Sequence, residues 1–160
     1  MRPPEVLLRT AEETRGWGER LGRLLRAGDL VVLTGELGAG KTTLTQGIAE
    51  GLGVRGPITS PTFVIARVHP SLVGGPALVH VDAYRLGGFA ELDDLDLDAS
   101  IEDSVTIVEW GHGLAEGLAE DRLEITLSGE DERRATVTAS GPRWEDEQAR
   151  ELLGALADVP

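Results

Sequence analysis

The chain has 160 residues, which suits one domain with a sizeable core, and its net charge of −13 argues against direct, nonspecific binding to nucleic acid. It has no cysteine, which excludes disulfides and thiolate metal sites, and three histidines without cysteine make a structural zinc site unexpected. No apolar run approaches the roughly 20 residues of a membrane span, and the N-terminal residues lack the apolar stretch of a signal peptide. We therefore expect a single domain over residues 1–160, in a cytoplasmic protein with no membrane partner.

The N-terminal segment predicts a strand, a helix and a second strand. The short apolar run at residues 6–8 is typical of a strand, and Thr10 with Glu13 three residues later has the form of a helix N-terminal capping box. Apolar residues then recur at helical spacing through Arg26, and Trp17 is expected to lie in the core. A second strand is predicted from Leu30 to Leu33.

A phosphate-binding P-loop follows this second strand. The run Gly35-Glu36-Leu37-Gly38-Ala39-Gly40-Lys41-Thr42 has every required residue, in the order strand, glycine-rich turn and helix. Glycines let the backbone turn its N–H groups inward, and the start of the helix adds its positive end. The residues expected to bind nucleotide are Glu36, Leu37, Gly38, Ala39, Gly40, Lys41, Thr42 and Thr43.

Two side chains of the P-loop have specific roles in this pattern. Lys41 supplies an ammonium for the outer phosphates, and the Thr42 hydroxyl is a ligand for Mg²⁺. Lys41 is the only lysine in the chain, since every other basic residue is arginine. A compact ammonium fits among phosphates where a planar guanidinium does not, so this exception favours a functional role.

Further elements are predicted after the P-loop helix, which has Leu44, Ile48 and Leu52 on one face and Gly53 as its C-cap. The proline-containing segment from Gly56 to Thr62 is a loop, either a switch loop near the γ-phosphate or a plain turn. Strands are predicted over residues 63–68, 77–81 and 105–108, with a loop over 69–76. Alternating residues around 123–127 and 135–139 predict a β-hairpin, and residues 144–156 a helix.

Two acidic residues come directly after predicted buried strands. Asp82 follows one strand and Glu109 the next, and in a parallel sheet both would emerge at the edge where the P-loop also lies. Each acid alone could be a helix cap or a loop residue. Together they suit phosphoryl transfer, in which one carboxylate serves Mg²⁺ and another orients water, and the assignment between them stays open. His69, His80 and His112 show no partner pattern and are interpreted as structural or surface residues.

Four motifs in this order resemble the TsaE (YjeE) family of small bacterial ATPases, which take part in tRNA threonylcarbamoyladenosine synthesis. They are the P-loop, Ser60-Pro61-Thr62-Phe63, Asp82-Ala83-Tyr84-Arg85-Leu86 and Val108-Glu109-Trp110, and the resemblance covers about residues 5–128. In that family the glutamate–tryptophan pair is often followed by another acid, whereas Gly111-His112 follow here.

The resemblance implies an α/β P-loop NTPase three-layer fold with a mostly parallel central sheet. The C-terminal antiparallel hairpin is predicted separately, from the alternation of apolar and polar residues described above. It implies an ATPase that uses ATP and Mg²⁺, is weak in isolation and works with the TsaD and TsaB proteins, meeting tRNA only through that complex. Lys41, Asp82 and Glu109 would be catalytic, and Thr42, Asp82 and Glu109 would serve the metal. Thr62 would lie in a switch-like loop and Trp110 near the nucleotide.

Two other functions remain open from the residues alone. One is a small-molecule kinase on the same fold, which usually needs an arginine-rich lid, and the only nearby candidates are Arg85 and Arg122. The other is a nucleotide-binding interaction module without useful turnover.

Overall fold

The computed structural model describes residues 5–35, 40–54, 66–82, 103–109, 121–129 and 133–145, with the backbone alone at residues 5, 66, 67, 82 and 133. In chain order the elements are β1 (Glu5–Leu8), α1 (Ala11–Leu24), β2 (Leu30–Thr34), α2 (Lys41–Leu52), β3 (Ala66–His69), β4 (Ala77–Asp82), β5 (Ser104–Glu109), β6 (Arg122–Ser128), β7 (Arg133–Ser140) and a four-residue helix (Pro142–Glu145).

The described strands form one seven-stranded sheet in the order β1-β7-β6-β2-β5-β4-β3. Its four central strands, β6, β2, β5 and β4, are parallel to one another. The outer pairs β1–β7, β6–β7 and β3–β4 are antiparallel. The predicted α/β P-loop fold, with a mostly parallel centre and a C-terminal hairpin, is confirmed.

The P-loop strand β2 lies at the centre of the parallel part, between β6 and β5. Both of its faces are buried, as expected for a strand made almost entirely of β-branched and leucine residues. One face of the sheet packs with α1 and α2 into a core. The strand residues in this core are Val6, Leu8, Val31, Leu33, Leu78, Val105, Ile107, Leu123, Ile125, Leu127, Ala135 and Val137. Trp17 of α1 is fully buried in this core, as predicted.

Helices α1 and α2 approach each other at the level of the backbone. Two glycines of α1, Gly18 and Gly22, face backbone atoms of α2, and two glycines of α2, Gly47 and Gly51, face backbone carbonyls of α1. A Cβ added at Gly47 would lie 2.1 Å from the Arg15 carbonyl oxygen, well inside van der Waals contact. The glycines, spaced four apart in each helix, are therefore what allows this distance between the helices.

The ends of these two helices follow from local chemistry. Thr10 caps α1, since its side chain accepts a hydrogen bond from the Glu13 N–H at 3.1 Å, which confirms half of the predicted capping box. Gly53 ends α2 in the left-handed conformation at φ 73°, and its N–H returns to the Ala49 carbonyl, which confirms the predicted C-cap.

A buried ion pair joins the C-terminal part of the chain to the start of β2. The Arg143 guanidinium donates to both carboxylate oxygens of Asp29, at 3.0 and 3.3 Å, and it stacks 4.1 Å from the centre of the Trp144 ring. The Arg143 backbone N–H also donates to Asp121. Asp29 lies at the amino end of β2, so the Arg143–Asp29 ion pair is at the opposite edge of the sheet from the P-loop.

Some predicted boundaries differ from the structure. Helix α1 ends at Leu24 rather than at Arg26, and His69 is the last residue of β3 rather than the first of a loop. The last predicted helix begins at Pro142, two residues early, and residues 146–156 of that prediction lie outside the described residues, as do residues 63–65 of the predicted third strand. None of the helices in the described ranges has the length and apolar character needed to cross a bilayer.

Candidate functional site

The start of α2 is shaped to accept an anion. Gly40 adopts a left-handed conformation at φ 99°, which a side-chain-bearing residue rarely takes, and the helix begins at the next residue. The N-cap Gly40 has no side chain to cap this end and the first turn contains no acidic residue, whereas α1 has both a Thr10 cap and two glutamates in its first turn. The first N–H groups of α2 and its positive dipole end are therefore left for a ligand.

Lys41, the first residue of α2, is a buried cation. Its side chain is only 6% exposed, and Nζ donates to the Gly35 carbonyl oxygen at 2.6 Å, which ties the helix start to the end of β2. The Lys41 carbonyl in turn accepts a hydrogen bond from the Thr45 hydroxyl at 2.8 Å. The ammonium is thus held next to the end of β2, where it could donate a charge-assisted hydrogen bond to a phosphate group.

Thr42 and Thr43 follow in the first turn of α2, and both are partly buried. The loop residues between β2 and Gly40, which are Glu36, Leu37, Gly38 and Ala39, lie outside the described residues. Thr62 and Trp110, together with the loop from Gly56 to Thr62, also lie outside them, so their expected roles stay predictions.

The two predicted acids are brought to neighbouring positions at the carboxyl edge of the sheet. In the parallel ladder Asp82 of β4 is opposite Glu109 of β5, and Glu109 is opposite Leu33 of β2. The P-loop leaves β2 two residues after Leu33. Glu109 therefore lies on the strand next to the P-loop strand, and Asp82 lies one strand further out. The side chain of Asp82 is outside the described part of the structure, whereas that of Glu109 is 5% exposed.

Glu109 has a partner that the sequence interpretation missed. The Nε2 atom of His80 lies 2.6 Å from Glu109 Oε2, and the imidazole is fully buried. The sequence shows no partner pattern for His80 and leaves it as a structural or surface residue; the structure buries it and gives it Glu109 as a partner. The available signal was a lone polar residue in the apolar run of residues 77–81, two positions before Asp82 and therefore on the same face of the strand.

The described residues do not form a preassembled metal cage. In the described ranges, no group of three or more histidine, aspartate or glutamate side chains is placed to hold a metal ion. Mg²⁺ in nucleotide sites usually takes one or two protein ligands and completes its shell with phosphate oxygens and water. A hydroxyl at Thr42 and carboxylates at two strand ends are oxygen ligands of the kind that this mode of binding uses.

The chain resembles known proteins over most of its length. The family model described as threonylcarbamoyl adenosine biosynthesis protein TsaE matches residues 8–136. The tRNA threonylcarbamoyladenosine biosynthesis protein TsaE of Streptomyces coelicolor is 60% identical over 147 residues, covering 88% of this chain and 99% of that protein. The protein of the same name from Bacillus subtilis is 42% identical over 137 residues, covering 84% of each. A crystal structure of Bacillus subtilis YdiB superposes with a TM-score of 0.72 at 36% identity, covering 94% of this chain and 93% of that one.

Proposed function

The chain belongs to the TsaE family of threonylcarbamoyl adenosine biosynthesis proteins, and we propose that it is a Mg²⁺-dependent ATPase that supports turnover of a TsaD–TsaB complex. The single observation that carries the ATPase assignment is the geometry around α2: a helix that starts after a left-handed Gly40 with no acidic residue in its first turn, and Glu109 on the strand next to the P-loop strand. The names of the relatives place those proteins in tRNA threonylcarbamoyladenosine biosynthesis, and we assign this chain to the same pathway.

The P-loop residues of this chain fit a nucleotide triphosphate. The N–H groups at the start of α2 and the buried Lys41 ammonium supply donors and positive charge for phosphates without any acidic residue in the first turn. We assign contacts with the phosphates to residues 36–43, and a place near the nucleotide to Trp110, by motif.

Magnesium would be held by oxygen ligands at the same place. Thr42 supplies a hydroxyl in the first turn of α2, and Asp82 and Glu109 supply carboxylates at the ends of the adjacent strands β4 and β5. Bound there, Mg²⁺ would neutralise charge on the phosphates. Because Glu109 is buried and one of its oxygens is engaged by His80, we assign it to the attacking water and Asp82 to the metal. Thr62 is assigned to a switch-like loop by motif alone.

The charge of the chain supports an indirect relation to tRNA. At a net charge of −13 the protein lacks the positive footprint that phosphate backbones require, so we propose that it meets tRNA through its protein partners. A site that depends on partners is expected to be incomplete alone, and we therefore expect slow ATP hydrolysis by the isolated chain.

The test is ATP hydrolysis by the chain with and without TsaD and TsaB, together with threonylcarbamoyladenosine formation on tRNA. We expect Lys41→Ala and Glu109→Gln each to lower hydrolysis by roughly a hundredfold or more, as for other residues that act on the transition state. Glu145→Gln is the matched control, since Glu145 is an exposed acid remote from the P-loop in sequence and should leave the rate unchanged.

Three results would contradict the proposal. Hydrolysis unaffected by Glu109→Gln would remove the catalytic assignment of this acid. ATP-dependent phosphorylation of a sugar, a nucleoside or a shikimate-like acceptor by the isolated chain would instead identify a kinase. A chain that binds ATP but never hydrolyses it, even with TsaD and TsaB, would be a nucleotide-binding interaction module.

A further inference from the structure

We propose that His80 is a positioning residue for Glu109, one that holds a single oxygen of the carboxylate and leaves the other for the reaction. The inference rests on the proposed function, since it concerns how the assigned acid is oriented. It is carried by the placement and burial of the two side chains, and by what each of their polar atoms contacts.

The strand register brings the two residues together. His80 of β4 is opposite Ile107 of β5, and Glu109 lies two residues further along β5 on the same face. The residues are therefore diagonal neighbours across a parallel pair, and their side chains meet at 2.6 Å between Nε2 and Oε2. Each of the two strands is hydrogen-bonded to a neighbouring strand on both sides. The backbone that carries the imidazole and the glutamate is therefore held in place.

Burial gives the contact its strength. His80 is 0% exposed and Glu109 is 4% exposed, and the residues beside them on the same face of the sheet, Leu78, Ile107 and Leu33, are buried too. An ionised carboxylate in such surroundings needs a donor, because its lost hydration is otherwise uncompensated. An ionised carboxylate only accepts, so the imidazole must donate from Nε2.

The other imidazole nitrogen fixes the tautomer. Within the described part of the chain, Nδ1 of His80 is buried and makes no hydrogen bond. A proton there would be a buried N–H without an acceptor, which costs more than an unpaired lone pair. The structure therefore assigns the proton to Nε2, where it points at Glu109 Oε2.

This arrangement restricts a flexible side chain at the site. A glutamate has three rotatable side-chain bonds, and a hydrogen bond to one oxygen selects the rotamers in which the other oxygen, Oε1, has a fixed direction. An apolar residue at position 80 would give the carboxylate no hydrogen bond and therefore no fixed direction. The expected consequence of its loss is therefore slower hydrolysis with little change in nucleotide affinity.

The experiment compares His80→Leu, His80→Gln, Glu109→Gln and the double variant His80→Leu/Glu109→Gln, each assayed for MgATP hydrolysis with TsaD and TsaB. We expect His80→Leu to lower kcat by roughly tenfold to a hundredfold while KM changes less than about threefold, the size seen when the supporting contact of a functional ligand is removed. In His80→Gln the amide N–H reaches close to the position of Nε2, so most of the rate should return.

The double variant separates positioning from a general structural effect. If His80 acts through Glu109, removing it from a chain that already carries Glu109→Gln should cost nothing more, whereas independent effects would multiply. A multiplicative double variant, an unchanged kcat in His80→Leu, or no recovery in His80→Gln would each overturn the proposal. Loss of hydrolysis in Glu109→Gln without any loss in His80→Leu would overturn it while leaving the proposed function intact.

A measurement on the wild-type protein needs neither turnover nor a folded His80→Leu variant. The ¹⁵N chemical shifts of the His80 ring report which nitrogen carries the proton. We expect the Nε2–H tautomer in the wild type at neutral pH, and the Nδ1–H tautomer would overturn the proposal whether or not ATP is hydrolysed.

Discussion

Replacing Gly47 by alanine should destabilise the protein, although alanine is the better helix former. The intrinsic preference favours alanine by about 1 kcal/mol in a helix interior. Against it, the new Cβ would lie 2.1 Å from the Arg15 carbonyl oxygen and 2.9 Å from the Arg15 carbonyl carbon. Since these are backbone atoms, relief requires the two helices to separate by about 1 Å, and overpacking of this kind costs about 1–3 kcal/mol or more.

The cost extends along the helix contact. Separation at Gly47 would also open the approach of Gly22 to the Ile48 carbonyl and of Gly51 to the Glu19 carbonyl. A gap of about 0.5–1 Å removes a quarter to a half of the dispersion energy of each atom pair. We therefore expect the upper part of the overpacking range, which gives a net loss of about 2 kcal/mol once the helix preference is subtracted.

Gly16→Ala is the matched control. Gly16 is in the same helix pair but is exposed, and a Cβ added there would meet nothing within 4 Å. It should raise stability by about 0.5–1 kcal/mol through helix preference alone. Urea unfolding measures both changes as shifts of the midpoint at constant slope. A Gly47→Ala protein as stable as the wild type, beside a stabilised Gly16→Ala, would refute the reasoning.

Three further predictions concern other parts of the molecule. Arg143→Leu should lower stability by about 2–4 kcal/mol, because among the described residues it leaves the buried Asp29 carboxylate with the Arg26 N–H as its remaining donor. Urea unfolding checks this, with exposed Arg20→Leu expected within about 0.5 kcal/mol of wild type. The Arg15 guanidinium hydrogen-bonds Glu50 and lowers its pKa, so this pair stabilises the fold above the ordinary value of 4.5 and loses that effect as pH falls through the lowered pKa. Glu50→Gln should therefore be slightly less stable than wild type at pH 7 and equal to it in acid; a difference that persists unchanged in acid would contradict this. Adding MgATP should change the tryptophan fluorescence of the wild type, and Trp110→Phe should abolish the change; a signal that remains in Trp110→Phe would assign it to Trp17 or Trp144.

Much of the fold could be predicted because its signals are local. A few neighbouring residues are enough to specify each of these elements. Examples are the capping hydroxyl of Thr10, the C-cap at Gly53 and the apolar runs before Asp82 and Glu109. The parallel arrangement placed both acids at one edge, and the register of Asp82 opposite Glu109 confirms that reasoning. Boundaries were less certain, as at Leu24 and His69, because helix and strand ends depend on packing as well as on sequence.

The contact of His80 with Glu109 could not be predicted in the same way. It depends on which strands are neighbours and on a register set by the whole sheet, and 29 residues separate the two partners in sequence. The glycine contact between α1 and α2 was equally hard to predict from the sequence. Gly18, Gly22, Gly47 and Gly51 would be weak points in isolated helices, and only the partner helix shows why a side chain is excluded there.

The order of strands in the sheet has a consequence for how the chain is made. Strand β1 is synthesised first and pairs with β7, with Val6 opposite Ala135. The hydrogen-bonding edge of β1 therefore has no partner until β7 has been made. Strand β2 has the same dependence, because its two neighbours end at Glu109 and Ser128. Strands whose partners are far away in sequence pair late and slowly. The chain must first lose the entropy of closing a long loop, and only then do the strand contacts stabilise it. On the ribosome β2, the strand before the P-loop motif, therefore stays without its sheet partners until most of the protein has been translated, and a chain cut short before β7 would leave β1 and β6 with open edges.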